Sequence, residues 1–229
     1  MDLITIARRV KSESGRSGIG PASVATAAGD DLRIVNACKD VWRDLQMEAR
    51  NWKWMRATTA VPTLTISSVT QTLAALGISS FDRWATESDD YKPTVYEASN
   101  AASEWPLKWL DYEVFRSRFI VGQHEAGAPQ FWSIATNGDL LVGPKPSLAT
   151  YRLRADYYTA PTELTADASE PNMPSKFHMA LVWAALMRIA SNDAAPEHYT
   201  RAFDAYSGVY DALLASQGDK ITVGARPLA

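Results

Sequence analysis

Three histidines, one cysteine and two pairs of adjacent aspartates are the side chains of this chain best suited to chemistry. Paired carboxylates can share general acid and base work, and histidines at close spacing can hold a metal. Asp89-Asp90 sits in the polar run from Glu87 to Lys92, which reads as a solvated loop. Asp30-Asp31 follows Gly29 at the start of an apolar-periodic segment, so capping and the helix dipole explain it. His124-Glu125 lacks the HExxH spacing of a zinc helix, and His178 opens a long apolar segment as a packing residue. The three histidines lie far apart, and the lone Cys38 allows neither an internal disulfide nor an all-cysteine metal site. Cys38 falls on an apolar helix face, where a thiol is inert.

Two further patterns could bind phosphate or activate a nucleophile. Gly15-Arg16-Ser17-Gly18-Ile19-Gly20 has the look of a phosphate cradle, but a dinucleotide fingerprint needs a strand before it, and here helix precedes loop. It reads as a connector. There is no G-x-S-x-G elbow and no GxxxxGK[ST] loop. The sequence therefore predicts no catalytic, cofactor-binding or metal-ligating residue, and no enzyme.

Composition narrows the class further. The chain has 229 residues, 46% of them hydrophobic, enough for a core in one large domain or a core with a subdomain. A net charge of −3 and a pI near 5.6 give no overall basic footprint for a dedicated nucleic-acid binder. Arg8, Arg9, Lys11 and Arg16, and then Arg50, Lys53 and Arg56, form two basic clusters. They suit helix solubility, salt bridges to a neighbour, or transient non-specific contact with passing DNA, and not sequence-specific readout. No stretch reaches the ~18 apolar residues that span a bilayer, so no membrane contact is expected. Arg8, Arg9 and Lys11 follow the first apolar stretch, the wrong order for a secretory signal, and the chain is expected to stay in a cytoplasm. Eight tryptophans suit core filling and subunit interfaces.

The elements that would position these residues can be read from periodicity. Leu3, Ile6, Ala7 and Val10 stripe a first helix over Asp2–Glu13. After a Gly- and Ser-rich break, Leu32, Val35, Cys38, Trp42, Leu45, Ala49 and Trp52 predict a second helix with one buried face. Val61–Val69, Phe81–Thr86 and Thr94–Tyr96 have strand composition. Trp105–Phe119 reads as a helix with Pro106 in its first turn. Gln130–Gly143 is the best hairpin, with Asn137-Gly138 suited to a type I′ turn. Tyr151, Leu153, Ala155 and Tyr157 alternate with Arg152, Arg154, Asp156 and Tyr158 along a two-faced strand. Pro174 opens an apolar, central helix, and Tyr199, Phe203, Tyr206, Tyr210 and Leu213 stripe another up to Gly218. The result is an α+β chain: a helical bundle built from both chain ends, residues 1–56 and 161–229, with an inserted β-rich subdomain at 57–160 and an extended tail at 218–229.

The order of these features resembles the head-to-tail adaptor, or connector, proteins of tailed bacteriophages. The resemblance spans nearly the whole chain. It rests on Ile6-Ala7-Arg8-Arg9-Val10 with Gly20-Pro21-Ala22-Ser23-Val24, on Arg50-Asn51-Trp52-Lys53-Trp54, and on Pro129-Gln130-Phe131-Trp132-Ser133-Ile134. Gly138-Asp139-Leu140-Leu141-Val142-Gly143-Pro144-Lys145-Pro146 and the Leu164–Asp167, Glu170–Pro174 segment complete it.

The resemblance implies a homo-oligomeric ring, in that family usually a dodecamer, docked below the portal protein. Such a ring extends the DNA channel and gives a tail, nozzle or terminator protein its attachment surface, at the head–tail interface of a virion assembled in the host bacterial cytoplasm. The helical body, with Trp42, Trp183 and Tyr206, is expected to carry the contact between neighbouring subunits. The resembled adaptors commonly engage the portal through C-terminal segments. That points to Lys220, Ile221, Val223 and Arg226 in the tail, where Ile221 and Val223 share one face of a short strand. The alternative is a carbohydrate-binding or other accessory module of a phage tail, with exposed tryptophans stacking on sugars. A helical enzyme is the third reading.

Overall fold

A computed structural model describes residues 1–48, 51–86 and 92–217. In chain order its elements are α1 (Leu3–Glu13), α2 (Gly29–Met47), β1 (Arg56–Thr58), β2 (Thr70–Gln71), β3 (Arg83–Trp84), β4 (Thr94–Glu97), β5 (Asn100–Pro106) and β6 (Lys108–Trp109). They continue with α3 (Tyr112–Phe115), β7 (Phe131–Ile134), β8 (Leu140–Gly143), β9 (Tyr151–Arg154), β10 (Asp156–Tyr158), α4 (His178–Asn192) and α5 (Pro196–Gln217). The fold is mixed α+β. The described residues divide into two compact units, one from 1–54 and 161–217, the other from 55–160.

In the first unit α1 begins where Asp2 caps it, its carboxylate accepting from the Thr5 amide at 2.9 Å. Leu3, Ile6, Ala7 and Val10 are fully buried, as their spacing predicts. α4 is apolar on most sides, and α1, α2 and α5 all pack on it. A 3-10 turn, Ser175–Phe177, leads into α4 from Pro174.

Three expectations for this unit need correction. α2 stops at Met47, because Glu48 leaves helical geometry, so Trp52 is buried outside the helix, its indole donating to Leu45 O at 2.9 Å. Leu32 is 41% exposed, and Ile34 and Ala37 take the buried face with Val35, Cys38, Trp42 and Leu45. On α5 only Ala202 and Leu213 are buried, so the aromatic stripe lies at the edge of the packing face, not at its centre. Ala49, Arg50 and Gly218 lie outside the described residues.

Among the described residues the second unit holds three small sheets, ordered β1-β10-β3, β2-β8-β7-β6 and β5-β4-β9. All pairings are antiparallel except β6 with β7. Leu64, Leu76, Trp84, Val95, Leu107 and Trp132 belong to its main core, and Phe115, Phe119 and Leu141 form a smaller one.

Here too the structure departs from the sequence pattern. Val61–Val69 is not a strand: Val61 and Ser67 have positive φ, and only an isolated bridge joins Thr63 to Arg152. Trp105–Phe119 is not one helix. Trp105 and Pro106 end β5, β6 follows, and α3 with a π turn at Arg116–Ile120 occupies the remainder. Leu107 is drawn into the β core, and its amide bonds Pro93 O at 2.8 Å, which outweighs helical spacing. In the 131–143 hairpin Gly138 has φ 87° while Asn137 keeps an ordinary φ, so the turn is not type I′. The Gly138 amide instead closes on Ala135 O at 2.9 Å, a turn followed by a left-handed glycine. The two-faced strand breaks at Ala155: β9 pairs with β4, β10 with β1 and β3, and Tyr158, not Tyr157, is the buried member of β10.

Candidate interaction surfaces

The residues with chemical potential are placed in structural roles. Cys38 is buried in α2, and burial pushes its thiol up to about 12, so it is a thiol and not a nucleophile at neutral pH. His178 is buried at the head of α4, with Nε2 donating to Met173 O at 3.1 Å and Nδ1 accepting from the Met1 ammonium at 2.6 Å. Burial, aided by the positive ammonium, lowers its pKa and keeps the ring neutral. His124 bonds Val121 O at 2.7 Å. Among the described residues no group of three His, Cys, Asp or Glu side chains could hold a metal ion. Asp89 and Asp90 lie outside the described residues.

Asp30 and Asp31 do not cap α2; Ala28 holds that position with no side-chain bond. They lie in the first turn, where the helix dipole favours them, and pair with Lys11 at 3.3 and 2.8 Å. Arg16 bridges Asp30 to Asp193 in the α4–α5 turn, and Arg33 reaches the same Asp193 at 2.7 Å. The Arg33 hydrogen bond, with both guanidinium charges, holds the Asp193 carboxyl below the usual range. The Gly15–Gly20 loop therefore spends its arginine on carboxylates and offers no cradle to phosphate. Arg8 folds the loop back, donating to Pro21 O at 3.0 Å and Ala22 O at 3.2 Å. A Cβ at Gly20 would meet Arg8 Cα at 3.2 Å, so glycine permits this approach.

Tryptophan supplies little surface. Trp42 and Trp52 are fully buried, so Trp42 cannot serve a subunit contact, and Trp183 is half-buried. In the β-rich unit Trp84 and Trp132 are core, Trp105 is half-buried, and Trp109 alone is exposed. Trp109 meets Trp132 edge-on with centroids 4.7 Å apart and so presents no flat exposed pair for a sugar ring.

The more unusual surface is on α5. Tyr199 and Phe203, 42% and 50% exposed, stack with centroids 6.4 Å apart, while Tyr206 and Tyr210 stack at 5.1 Å and are half-buried. Sequence periodicity found this stripe, of which only Leu213 is buried; exposed aromatic residues at three-four spacing look the same in sequence as buried ones. Lys220, Ile221, Val223 and Arg226 lie outside the described residues. No helix among the described residues is long and apolar enough to cross a membrane.

None of the curated proteins matches the chain. The family model of the SU10 adaptor protein, in contrast, matches residues 1–228. That match covers both compact units, and it agrees with surfaces whose charged and aromatic groups hold structure and offer contacts. The chain belongs to the SU10 adaptor protein family, a family of structural proteins of the bacteriophage virion.

Proposed function

We propose that this chain is the head-to-tail adaptor of its phage. It assembles as a homo-oligomeric ring, in the dodecameric form its resemblance implies, docks below the portal protein, extends the DNA channel and receives a tail, nozzle or terminator protein. The family match over residues 1–228 carries this reading. Residues of both chain ends act as one helical bundle domain, and 57–160 acts as an inserted β-rich subdomain that projects toward the next ring. The segment 219–229, with Lys220, Ile221, Val223 and Arg226, contacts the portal. DNA passing through the channel makes only transient, non-specific contact, and the chain performs no catalysis. Assembly takes place in the host cytoplasm and the product stays at the head–tail interface of the virion.

Electron microscopy of the purified chain mixed with its cognate portal tests this. The expected image is an added ring of density on one end of the portal. Portal particles that stay bare at saturating concentrations of the chain overturn the reading.

A further inference from the structure

α5 is 22 residues long yet buries only Ala202 and Leu213. Beside its packing face stand the exposed rings of Tyr199 and Phe203. On its outer side Glu197, Asp204 and Asp211 recur every seven residues, which places them on one line of the helix. Among the described residues none of these three carboxylates has a cationic partner, and the nearby Arg201 is taken by Glu13 at 2.6 Å. An exposed apolar edge beside an uncompensated acidic line is the anatomy of half an interface.

α2 carries the complement. Leu32, Asn36, Lys39, Arg43 and Met47 follow one another at three- and four-residue steps on its solvent side, with Leu32 41% and Met47 67% exposed. Asp40 and Asp44, next to this stripe, are satisfied by Arg188 at 3.2 and 2.9 Å, and Asp40 also by Arg43 at 3.3 Å. Lys39 has no carboxylate partner among the described residues. It borders a depression of about 310 Å³ lined also by Asn36, Asp40, Arg43 and residues 162–165, a volume that exceeds that of an aromatic side chain. The acidic line on α5 and the stripe on α2 run about 21 and about 22 Å at helical rise, so they match in length.

We infer that the outer face of α5 docks on the solvent face of α2 in a second copy of this chain, Phe203 entering the depression beside Lys39 and the carboxylate of Asp204 facing its ammonium. The inference rests on the ring reading. Two different faces of one subunit that fit each other give a heterologous contact, the type that closes rings by rotation. Exposed charge pairs contribute little to affinity but set register and reject wrong pairings.

Disulfide trapping tests it with the full chain, in a Cys38→Ala background. One preparation carries Phe203→Cys, the other Asn36→Cys, both at solvent-exposed positions, and they are mixed with the cognate portal and, separately, at high concentration without it. The expected result is a 36–203 dimer well above the 36–36 and 203–203 controls. Lys39→Glu or Asp204→Lys alone should lower the yield about threefold or more, and the two reversed charges placed in the two facing preparations should restore it. Rings that form on the portal without a 36–203 product overturn this inference and leave the adaptor reading standing. If the portal stays bare, the portal-free mixture decides: a selective 36–203 product upholds the contact, and its absence overturns it.

Discussion

The side-chain amide of Gln46 pairs with the backbone of Thr162 on both sides, Nε2 donating to Thr162 O and Oε1 accepting from Thr162 N, each at 2.9 Å. The Trp42 indole donates to the same carbonyl at 2.8 Å. The buried amide thus acts as a one-residue strand partner that fastens the start of the 161–165 segment to α2. Gln46→Leu keeps the size but removes both bonds, and should cost about 1–3 kcal/mol. Gln46→Glu can still accept from Thr162 N but can no longer donate, and it buries a charge, so it should cost as much or more. Thermal unfolding followed by circular dichroism measures both; no loss in either variant would show that the clamp is dispensable.

The close approach of Gly143 to Phe119 makes a second prediction. A Cβ at Gly143 would lie 2.7 Å from Phe119 Cδ2, and that ring is buried among Phe115, Phe131 and Leu141. Gly143→Ala should therefore destabilise the β-rich unit by about 1–3 kcal/mol through overpacking. Phe119→Leu, which vacates the contact, should recover part of the loss in the double variant. Additive losses in that double variant would rule out the steric explanation.

Much of this was legible in the residues, and the failures have physical causes. α1 was readable because its apolar stripe and the Gly- and Ser-rich break after it agree. α4 was readable because a helix apolar on most sides has only a central position to occupy. The 131–143 hairpin was readable from its glycine, although one left-handed residue, not two, makes the turn. Trp105–Phe119 misled because tertiary pairing of Leu107 and Lys108 with the sheets outcompetes local helical spacing. Val61–Val69 misled because β-branched composition gives no register, and Val61 adopts a positive φ that ends any ladder. The α5 stripe was legible as a periodicity, and Tyr206 as a candidate for a contact with a neighbour, but spacing alone did not say which of its rings the subunit itself covers.

His178 gives the chain a pH response whose sign follows from its environment. Its pKa is lowered from 6.5, mainly by burial and further by the Met1 ammonium. Above 6.5 the ring is neutral in folded and unfolded chains alike and costs nothing. As the pH falls below 6.5, the unfolded chain takes up a proton that the folded chain resists, so stability declines toward the folded pKa. Denaturant midpoints measured between about pH 7 and 5 should fall, and His178→Gln, which cannot titrate there, should flatten that slope even where it lowers stability at every pH. An unchanged slope in the variant would assign the acid response to other groups.

The tail supplies the last prediction. Asp219-Lys220-Ile221-Thr222-Val223-Gly224 has β-forming composition but is too short to pair with itself, and Arg226-Pro227-Leu228-Ala229 follows it. Ordering these residues on a partner costs about 1–2 kcal/mol of backbone entropy for each. Backbone pairing to a sheet edge, with Ile221 and Val223 seated on one face, offsets that cost most readily in a contact repeated around a ring. Lys220 and Arg226 add charge that an acidic portal surface would hold. Deleting 219–229 removes no residue from the described core, so the unfolding free energy of the truncated chain should stay within about 0.5 kcal/mol of the full chain. Docking to the cognate portal, measured by co-sedimentation, should be lost or strongly weakened. Ile221→Asp with Val223→Asp should weaken it in the full-length chain as well, which separates side-chain recognition from mere loss of length. If the truncated chain docks with unchanged affinity, the portal contact lies elsewhere, and the α4–α5 hairpin becomes the surface to mutate next.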